Sequence, residues 1–280
     1  MRDQLYMSDC AIADEEDKVK IIEYFLENLH PAGYRWDVFV ARDTLENSCI
    51  ATVLNGLSSY RVASKNTDYC SVITVSPYDE MLRRITRNFR KNVTKRRRKL
   101  EELPDVVFSV ESDPAKVAST FDEFLVLESS GWKAGKSRAR GDVPEPFAIA
   151  LNEKKKNFYK RVVTAFAERN QMRVVCVRVG PHLIAARFWL LLNEVCYSLK
   201  TAYDEAYSAY SPGVLAFDHG LRQIAETGGV REINTITSGR AADDWKPEKL
   251  RYQSMICFAN SVTGKVIYLA YRIRAALRNQ

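Results

Sequence analysis

The hydrophobic pattern predicts an α/β fold: a mixed, mostly antiparallel sheet flanked by helices, with a smaller, partial α/β lobe at the N-terminus. Three observations carry this. Three apolar, alternating segments between residues 173 and 202 follow one another across short turns, the pattern of an antiparallel meander. A helical stripe and a further strand come directly after it, the pattern of a crossover that places helices on both faces of a sheet. Elsewhere the apolar positions recur at steps of three and four, the spacing of helices that lie on a sheet.

Each element follows from its own residues. Residues 18–29 read as a helix through Val19, Ile22, Phe25, Leu26 and Leu29, 36–41 as a strand, 44–57 as a helix and 69–75 as a strand. A helical stripe then runs through Leu82, Ile85, Phe89, Val93, Leu100 and Leu103. Pro104 ends it, because the residue before a proline is pushed out of the helical region. Residues 1–104 are therefore expected to form an abbreviated α/β lobe ending in a connecting helix, and 105–280 the main domain. In that domain 106–111 is a strand, 114–129 a helix, 131–142 a Gly- and Arg-rich loop and 146–170 a long helix. The meander strands are 173–179, 183–192 and 195–202, turning at Gly180-Pro181 and Asn193-Glu194. The crossover helix, 214–227, stops at Gly228-Gly229, the usual left-handed cap. A strand at 231–237, a helical patch at 242–245, a strand at 252–258 and a helix at 262–277 complete the chain.

With 280 residues, 46% hydrophobic and 28% charged, the chain has the composition of an ordinary globular protein of roughly two domains. The longest apolar runs, 188–192 and 266–271, are far too short to span a membrane. Acidic residues at Asp3, Asp9 and 14–17 stand where a secretory leader carries cations, so a cytoplasmic location is expected. Six cysteines and three histidines lie far apart, with no metal-ligand spacing. Reduced cysteines filling core space are expected, and no metal. Between Arg83 and Lys99 there are ten basic residues and no acidic one, and without them the chain is net acidic. This segment is read either as a surface for the phosphates of RNA, a nucleotide or lipid headgroups, or as a solvated face beside an acidic body. The last helix carries Val266, Leu269, Ala270, Ile273 and Leu277 on one stripe, with Arg272, Arg274 and Arg278 beside it. That stripe is expected to cover its own domain, the other placement being a membrane surface.

Chemistry concentrates between the third meander strand and the crossover helix, in Lys200-Thr-Ala-Tyr-Asp204 and Ser211-Pro212-Gly213-Val214-Leu215. Proline sets the first helical turn and glycine brings the backbone close to a ligand. The N–H groups of Gly213, Val214 and Leu215 are expected to point at an anion such as a pyrophosphate, although Ser-Pro-Gly also starts helices that bind nothing.

The glycine turn directly after the meander resembles the GNAT N-acyltransferase superfamily, in which the pyrophosphate of acyl-CoA sits on that turn. Tyr210-Ser-Pro-Gly213-Val-Leu215 takes the place of the Q/R-x-x-G-x-G/A signature and departs from it at its first and last positions. Further motifs are similar to the CelD-like branch of the FemAB-related, two-lobed GNAT proteins. They are Arg96-Arg-Arg-Lys-Leu-Glu-Glu-Leu103, Leu127-Glu128-Ser-Ser-Gly-Trp132-Lys133, Phe158-Tyr159, Ile184-Ala185-Ala186, Tyr197-Ser-Leu-Lys200-Thr-Ala-Tyr-Asp204 and Tyr210-Ser-Pro-Gly213. Where that branch has Gly-x-x-x-Tyr-Lys, this chain has Gly239-Arg-Ala-Ala-Asp-Asp-Trp245-Lys246, so no tyrosine acid transfers to that position.

The resemblance implies an acyl-CoA-dependent N- or O-acyltransferase, with direct transfer in a ternary complex to a small molecule or saccharide. A sugar or amino-sugar of an envelope polysaccharide is the implied acceptor. Two alternatives stand beside it: an aminoacyl-tRNA-dependent, FemAB-like transferase whose basic helix at 83–99 grips RNA, and a non-catalytic binding module. Transfer needs a base, a proton for the departing thiolate and two anchored reactants. Asp204 is expected as base or acceptor orienter, its other reading being a loop cap. Lys200 lies four residues earlier on the same strand face. Tyr203, Tyr207 and Tyr210 are candidate acids, and the sequence does not select among them. Thr201, Ser211, Gly213, Val214 and Leu215 are expected to hold the acyl-CoA co-substrate, and Trp132, Lys133 and Arg187 the acceptor or a phosphate. Arg187, in an apolar strand, is expected to face a cleft or pair with a carboxylate. His182 and His219 are read as turn and helix-surface residues. A homodimer that completes the short lobe and a peripheral position at the inner membrane surface are compatible with this reading.

Overall fold

The computed structural model describes residues 16–29, 35–135, 146–237 and 240–278. Its elements are α1 (Lys18–Asn28), β1 (Val38–Leu45), α2 (Cys49–Gly56), β2 (Arg61–Thr74), α3 (Tyr78–Arg84), α4 (Arg87–Glu101), β3 (Val106–Glu111), α5 (Pro114–Ser130), α6 (Glu153–Glu168), β4 (Met172–Val179), β5 (His182–Leu192), β6 (Val195–Tyr203), α7 (Pro212–Thr227), β7 (Glu232–Asn234), α8 (Arg240–Asp243), β8 (Glu248–Phe258) and α9 (Val262–Arg278). Short 3-10 turns at Trp132–Ala134, Ile149–Leu151 and Glu205–Tyr210 join them.

Packing divides these elements into two units. The first holds the described residues through Cys70, residues 236–237 and those from Lys249 on, and the second holds Ser71–Thr235 with the described part of 239–248. The boundary expected at residue 104 thus falls at Cys70–Ser71. The reason is α4: Phe89, Val93 and Leu100 are buried in the same cluster as Leu215, Phe217 and Leu221 of α7, which ties the basic segment to the second unit.

In the first unit the strand order is β1-β8-β2, with β1 antiparallel to β8. The register slips between Ala41 and Thr44, where Asp43 takes φ 51°. The helix expected from residue 44 starts later, because Ser48 accepts the Ala51 N–H at 3.3 Å and caps α2.

In the second unit the order is β2-β7-β6-β5-β4-β3, antiparallel throughout except for the parallel β6–β7 pair. Both faces of this sheet are covered, so its strands are apolar in nearly every position. Along β4, Val175 and Val177 face the cluster of α4 and α7, while Val174 and Cys176 face that of α5 and α6, with Phe121, Phe124, Tyr159 and Phe188. Four cysteines, Cys70, Cys176, Cys196 and Cys257, are buried, and burial pushes the Cys176 thiol up to about 12. Cys10 lies outside the described residues.

Two helices differ from their expected form. The basic segment is α3 and α4 rather than one helix, because Thr86 turns extended and its hydroxyl accepts the Phe89 N–H at 3.2 Å. The helix expected from 146 starts at Glu153, where Asn152 caps it by accepting the Lys155 N–H.

Gly220 lets α7 lie on the sheet. A Cβ there would stand 2.4 Å from the Trp189 ring and 2.8 Å from Val175, both buried. Gly220→Ala is therefore expected to cost about 2–3 kcal/mol of overpacking, measured as a lower urea midpoint with an unchanged slope.

Candidate active site

The site grows out of the short length of β7. β6 pairs with it only at Val195–Glu232, Cys196–Ile233 and Tyr197–Asn234. Beyond Asn234 the Thr235 N–H turns to the Ser71 carbonyl at 2.9 Å, so this backbone leaves β6. From Ser198 to Tyr203 the outer edge of β6 has no strand partner among the described residues. β6 also carries one extra residue, Leu199, against β5, since Phe188 faces Lys200 and Trp189 faces Ser198. Such a bulge bends a strand and re-aims the side chains on either side of it.

α7 enters beside this open edge. Ser211 stands in the left-handed region with φ 53°, and Pro212 begins the helix two residues before the expected start. The expectation of three free amides is corrected by this earlier start. Leu215 already closes the first regular turn by donating to the Ser211 carbonyl at 3.1 Å, and Val214 donates to the same oxygen at 2.9 Å. Pro212 has no N–H. Of the three amides only that of Gly213 keeps its proton free among the described residues. A side chain there would crowd the Tyr203 ring, whose nearest carbon would lie 3.3 Å from its Cβ.

Arg187 lies opposite Thr201 in the middle of β5 and is 5% exposed. Its Nε donates to the Gly213 carbonyl at 3.3 Å, its Nη1 reaches the Ser198 hydroxyl at 3.5 Å, and its guanidinium lies 4.7 Å from the centre of the Phe217 ring. Burial alone brings it down to about 10, so it is a cation at neutral pH. No carboxylate pairs with it among the described residues. In place of the expected carboxylate, the described residues offer a carbonyl, a hydroxyl and a ring, none of which carries a counter-charge. An uncompensated charge in a buried position costs several kcal/mol, which an anionic ligand would offset.

The other named residues divide by role. Lys133 is held by the structure itself: its ammonium donates to Glu128 at 2.9 Å and to the Thr201 carbonyl at 2.6 Å, and the second Glu128 oxygen accepts the Ile149 N–H at 2.8 Å. Its own carbonyl accepts from Phe147 and Ala148. This bracket fixes both ends of the Gly- and Arg-rich loop, whose residues 136–145 lie outside the described ones. The Trp132 ring packs edge-on against Phe147, and the Trp132 backbone N–H donates to the Glu205 carboxylate at 2.9 Å.

Asp204 accepts the Ala206 N–H at 2.9 Å and so caps the following turn. It also lines a cleft of about 570 Å³ with Tyr207, Ser130, Glu123, His182 and Leu183. Lys200 lies 4.7 Å from the centre of the Tyr159 ring, on the sheet face opposite Arg187. Tyr210 is half-buried between Tyr207 and the Lys99 ammonium, which lies 5.4 Å from its ring centre. The basic helix α4 therefore borders the start of α7. Arg87, Lys91, Lys95 and Lys99 are exposed at steps of four along it, opposite buried Phe89, Val93 and Leu100.

Glu128 and Asp218 were missed as functional supports by reading the sequence. Both interrupt an apolar stripe at helical spacing, after Phe124 and Leu125 and between Leu215 and Leu221. A charge on a buried stripe is the signal of a paired group.

Residues 87–247 match the family described as acetyltransferase (GNAT) domain. No curated protein matches the sequence. Among solved structures, the chain is similar to FemX, with a TM-score of 0.57 and 9% identity over 90% of this chain and 81% of that one. It is also similar to L-PGS from Bacillus licheniformis, with a TM-score of 0.53 and 12% identity over 92% and 78% of the two chains. A conserved protein of unknown function from Bacteroides thetaiotaomicron gives 0.57 and 11% over 86% and 75%. At these identities the likeness is one of fold. Among the described residues no group of three or more His, Cys, Asp or Glu stands together as a metal site.

Proposed function

The chain belongs to the family of GNAT acetyltransferase domains, and from that membership we propose that it moves an acyl group from an acyl-CoA to an amine or hydroxyl acceptor, directly and within a ternary complex. The observation that carries this reading is the open edge of β6 with two anion-attracting groups beside it: the buried Arg187 guanidinium and the free Gly213 amide at the start of α7. Together they fit a diphosphate, the guanidinium by charge-assisted hydrogen bonds and the amide with the helix dipole behind it. A thioester arm would then lie along the open edge, Ser198–Tyr203.

In this reading Asp204 orients the acceptor in the cleft and takes its proton as the nucleophile attacks the thioester carbon and the carbon–sulfur bond breaks. Tyr210 returns a proton to the sulfur. Trp132 borders the acceptor and Thr201 the donor, while Lys133 keeps the loop in place. The acceptor we favour is a sugar or amino-sugar, from the likeness to the CelD-like branch, and the reaction is placed in the cytoplasm at the inner membrane surface.

Titration with acetyl-CoA tests this. At a hundredfold excess over Kd, binding adds about 2.7 kcal/mol and raises Tm by several degrees. Arg187→Met is expected to abolish the shift while keeping the fold, since it removes a charge that no carboxylate pairs among the described residues. Absence of any shift at millimolar acetyl-CoA overturns the choice of donor.

One observation favours a second donor, an aminoacyl-tRNA. The exposed cations of α4 run for about 18 Å beside Tyr210, longer than one diphosphate requires, and the α7 start offers one amide instead of three. This donor predicts tRNA binding that weakens steeply with salt and is lost in a Lys91→Glu, Lys95→Glu variant, with no acetyl-CoA shift.

A further inference from the structure

Helix α9 is docked with its apolar stripe outward. Val262, Val266, Leu269, Ile273 and Leu277 are each between 55% and 80% exposed. Their steps of four, three, four and four keep them on one side of the helix. The expectation that this stripe covers its own domain is thereby corrected, and the cause is the opposite face. There Gly264 lies so close to the Ala259 carbonyl that a Cβ would stand 2.3 Å from it. Tyr268 and Tyr271 pack on Phe258, with ring centres 5.2 and 5.7 Å away. Tyr268 also lies under the Arg61 guanidinium and accepts a hydrogen bond from Arg272 at 3.0 Å. Glycine approach and paired tyrosines fix the roll of the helix, so the stripe cannot turn inward.

We propose that α9 is an interfacial helix that lays this stripe into the headgroup region of an anionic lipid membrane. Charge selects this occupant. The segment 262–278 contains Lys265, Arg272, Arg274 and Arg278 and no acidic residue. At 100° per residue, Lys265 and Arg272 fall on one flank of the stripe and Arg274 on the other, each about 80–100° from its midline. Cations so placed reach lipid phosphates while the stripe enters the acyl boundary. A second copy of α9 would set cation against cation along the same flanks, with no carboxylate on either helix to answer them. Among the described residues no helix is long and apolar enough to cross a membrane, so α9 lies on the surface. The inference rests on the proposed placement of the reaction at the inner membrane surface, but it is tested without substrate, so its failure leaves the acyltransferase reading intact.

The full chain is sedimented with vesicles of neutral lipid alone and with vesicles containing about one-third anionic lipid. Strong binding to the anionic vesicles is expected, at least about tenfold tighter than to the neutral ones. The variant Val266→Glu, Leu269→Glu, Ile273→Glu is expected to lose that binding with unchanged circular dichroism and Tm, because these side chains touch solvent. Its intact α4 makes it the control for binding through the other basic helix. Lys265→Gln with Arg274→Gln is expected to remove the preference for anionic lipid. The proposal is overturned if the full chain stays in the supernatant, if the triple variant binds equally well, or if gel filtration shows a dimer that the triple variant splits, which would assign the stripe to a second copy.

Discussion

Replacing Glu128 by alanine is expected to destabilise the second unit by about 3–5 kcal/mol, a larger loss than overpacking at Gly220 brings. The carboxylate is buried and serves three elements at once: α5, on which it stands, the Lys133 turn and the Ile149 turn. Its removal leaves the Ile149 N–H without an acceptor and the Lys133 ammonium, still held at the Thr201 carbonyl, without a counter-charge in a site it barely leaves. Glu128→Ala with Lys133→Met is expected to cost less than Glu128→Ala alone, because no charge is then left uncompensated. Urea unfolding of the four proteins in the cycle measures this. A cost below about 1 kcal/mol for Glu128→Ala, or strict additivity, would show that the bracket is not coupled. The same variant is expected to weaken ligand binding, since the bracket anchors the loop beside Thr201.

The contrast between Glu128 and Arg187 shows what a sequence displays and what it hides. The strands of the meander and α5 were legible because a sheet covered on both faces forces long apolar runs, and Val174 to Val177 has no other use. Arg187 was legible as an anomaly within such a run. Its surroundings were not, because Ser198 and Gly213 come beside it only through the antiparallel pairing of β5 with β6 and the return of α7. The start of α7 lies two residues before the place its pattern suggests, since Pro212 reads equally well as the residue before a helix and as its first residue. The break at Thr86 is hidden because Ile85 and Phe89 keep the helical step across it, and only a hydroxyl cap distinguishes two helices from one. The outward stripe of α9 could not be read at all. Periodicity reports that a helix has an apolar side, whereas Gly264 and two tyrosines choose which side docks.

Acid is expected to destabilise the second unit through His219. The imidazole lies between the Phe108 ring, 5.5 Å away, and a charged cluster in which Asp218 accepts from Tyr78 of α3 and faces Arg97 of α4, with Arg222 on its own helix. The reading of His219 as a helix-surface residue is corrected: burial first, then the two guanidiniums, bring it down from 6.5 to about 4. Folded His219 is thus neutral at pH 5, where the unfolded chain binds a proton. Its contribution is complete above pH 6.5 and is lost as pH falls toward 4, with stability falling because the unfolded state takes up the extra proton. At pH 4.5 the loss, reduced by solvent screening of a half-buried ring, amounts to about 1–2 kcal/mol. Asp218 works in the opposite direction, since burial raises it against the pull of Tyr78, Arg97 and Arg222, and stability falls as pH rises through its window above 3.8. His219→Phe keeps the ring against Phe108 and removes only the titration. Urea unfolding of both proteins at pH 7 and 4.5 is expected to show the parent losing about 1–2 kcal/mol more than the variant, with the Asp218 contribution common to both. Equal losses would mean that His219 binds its proton as readily folded as unfolded, and the cluster joining α3, α4 and α7 would then have to open in acid before the unit unfolds.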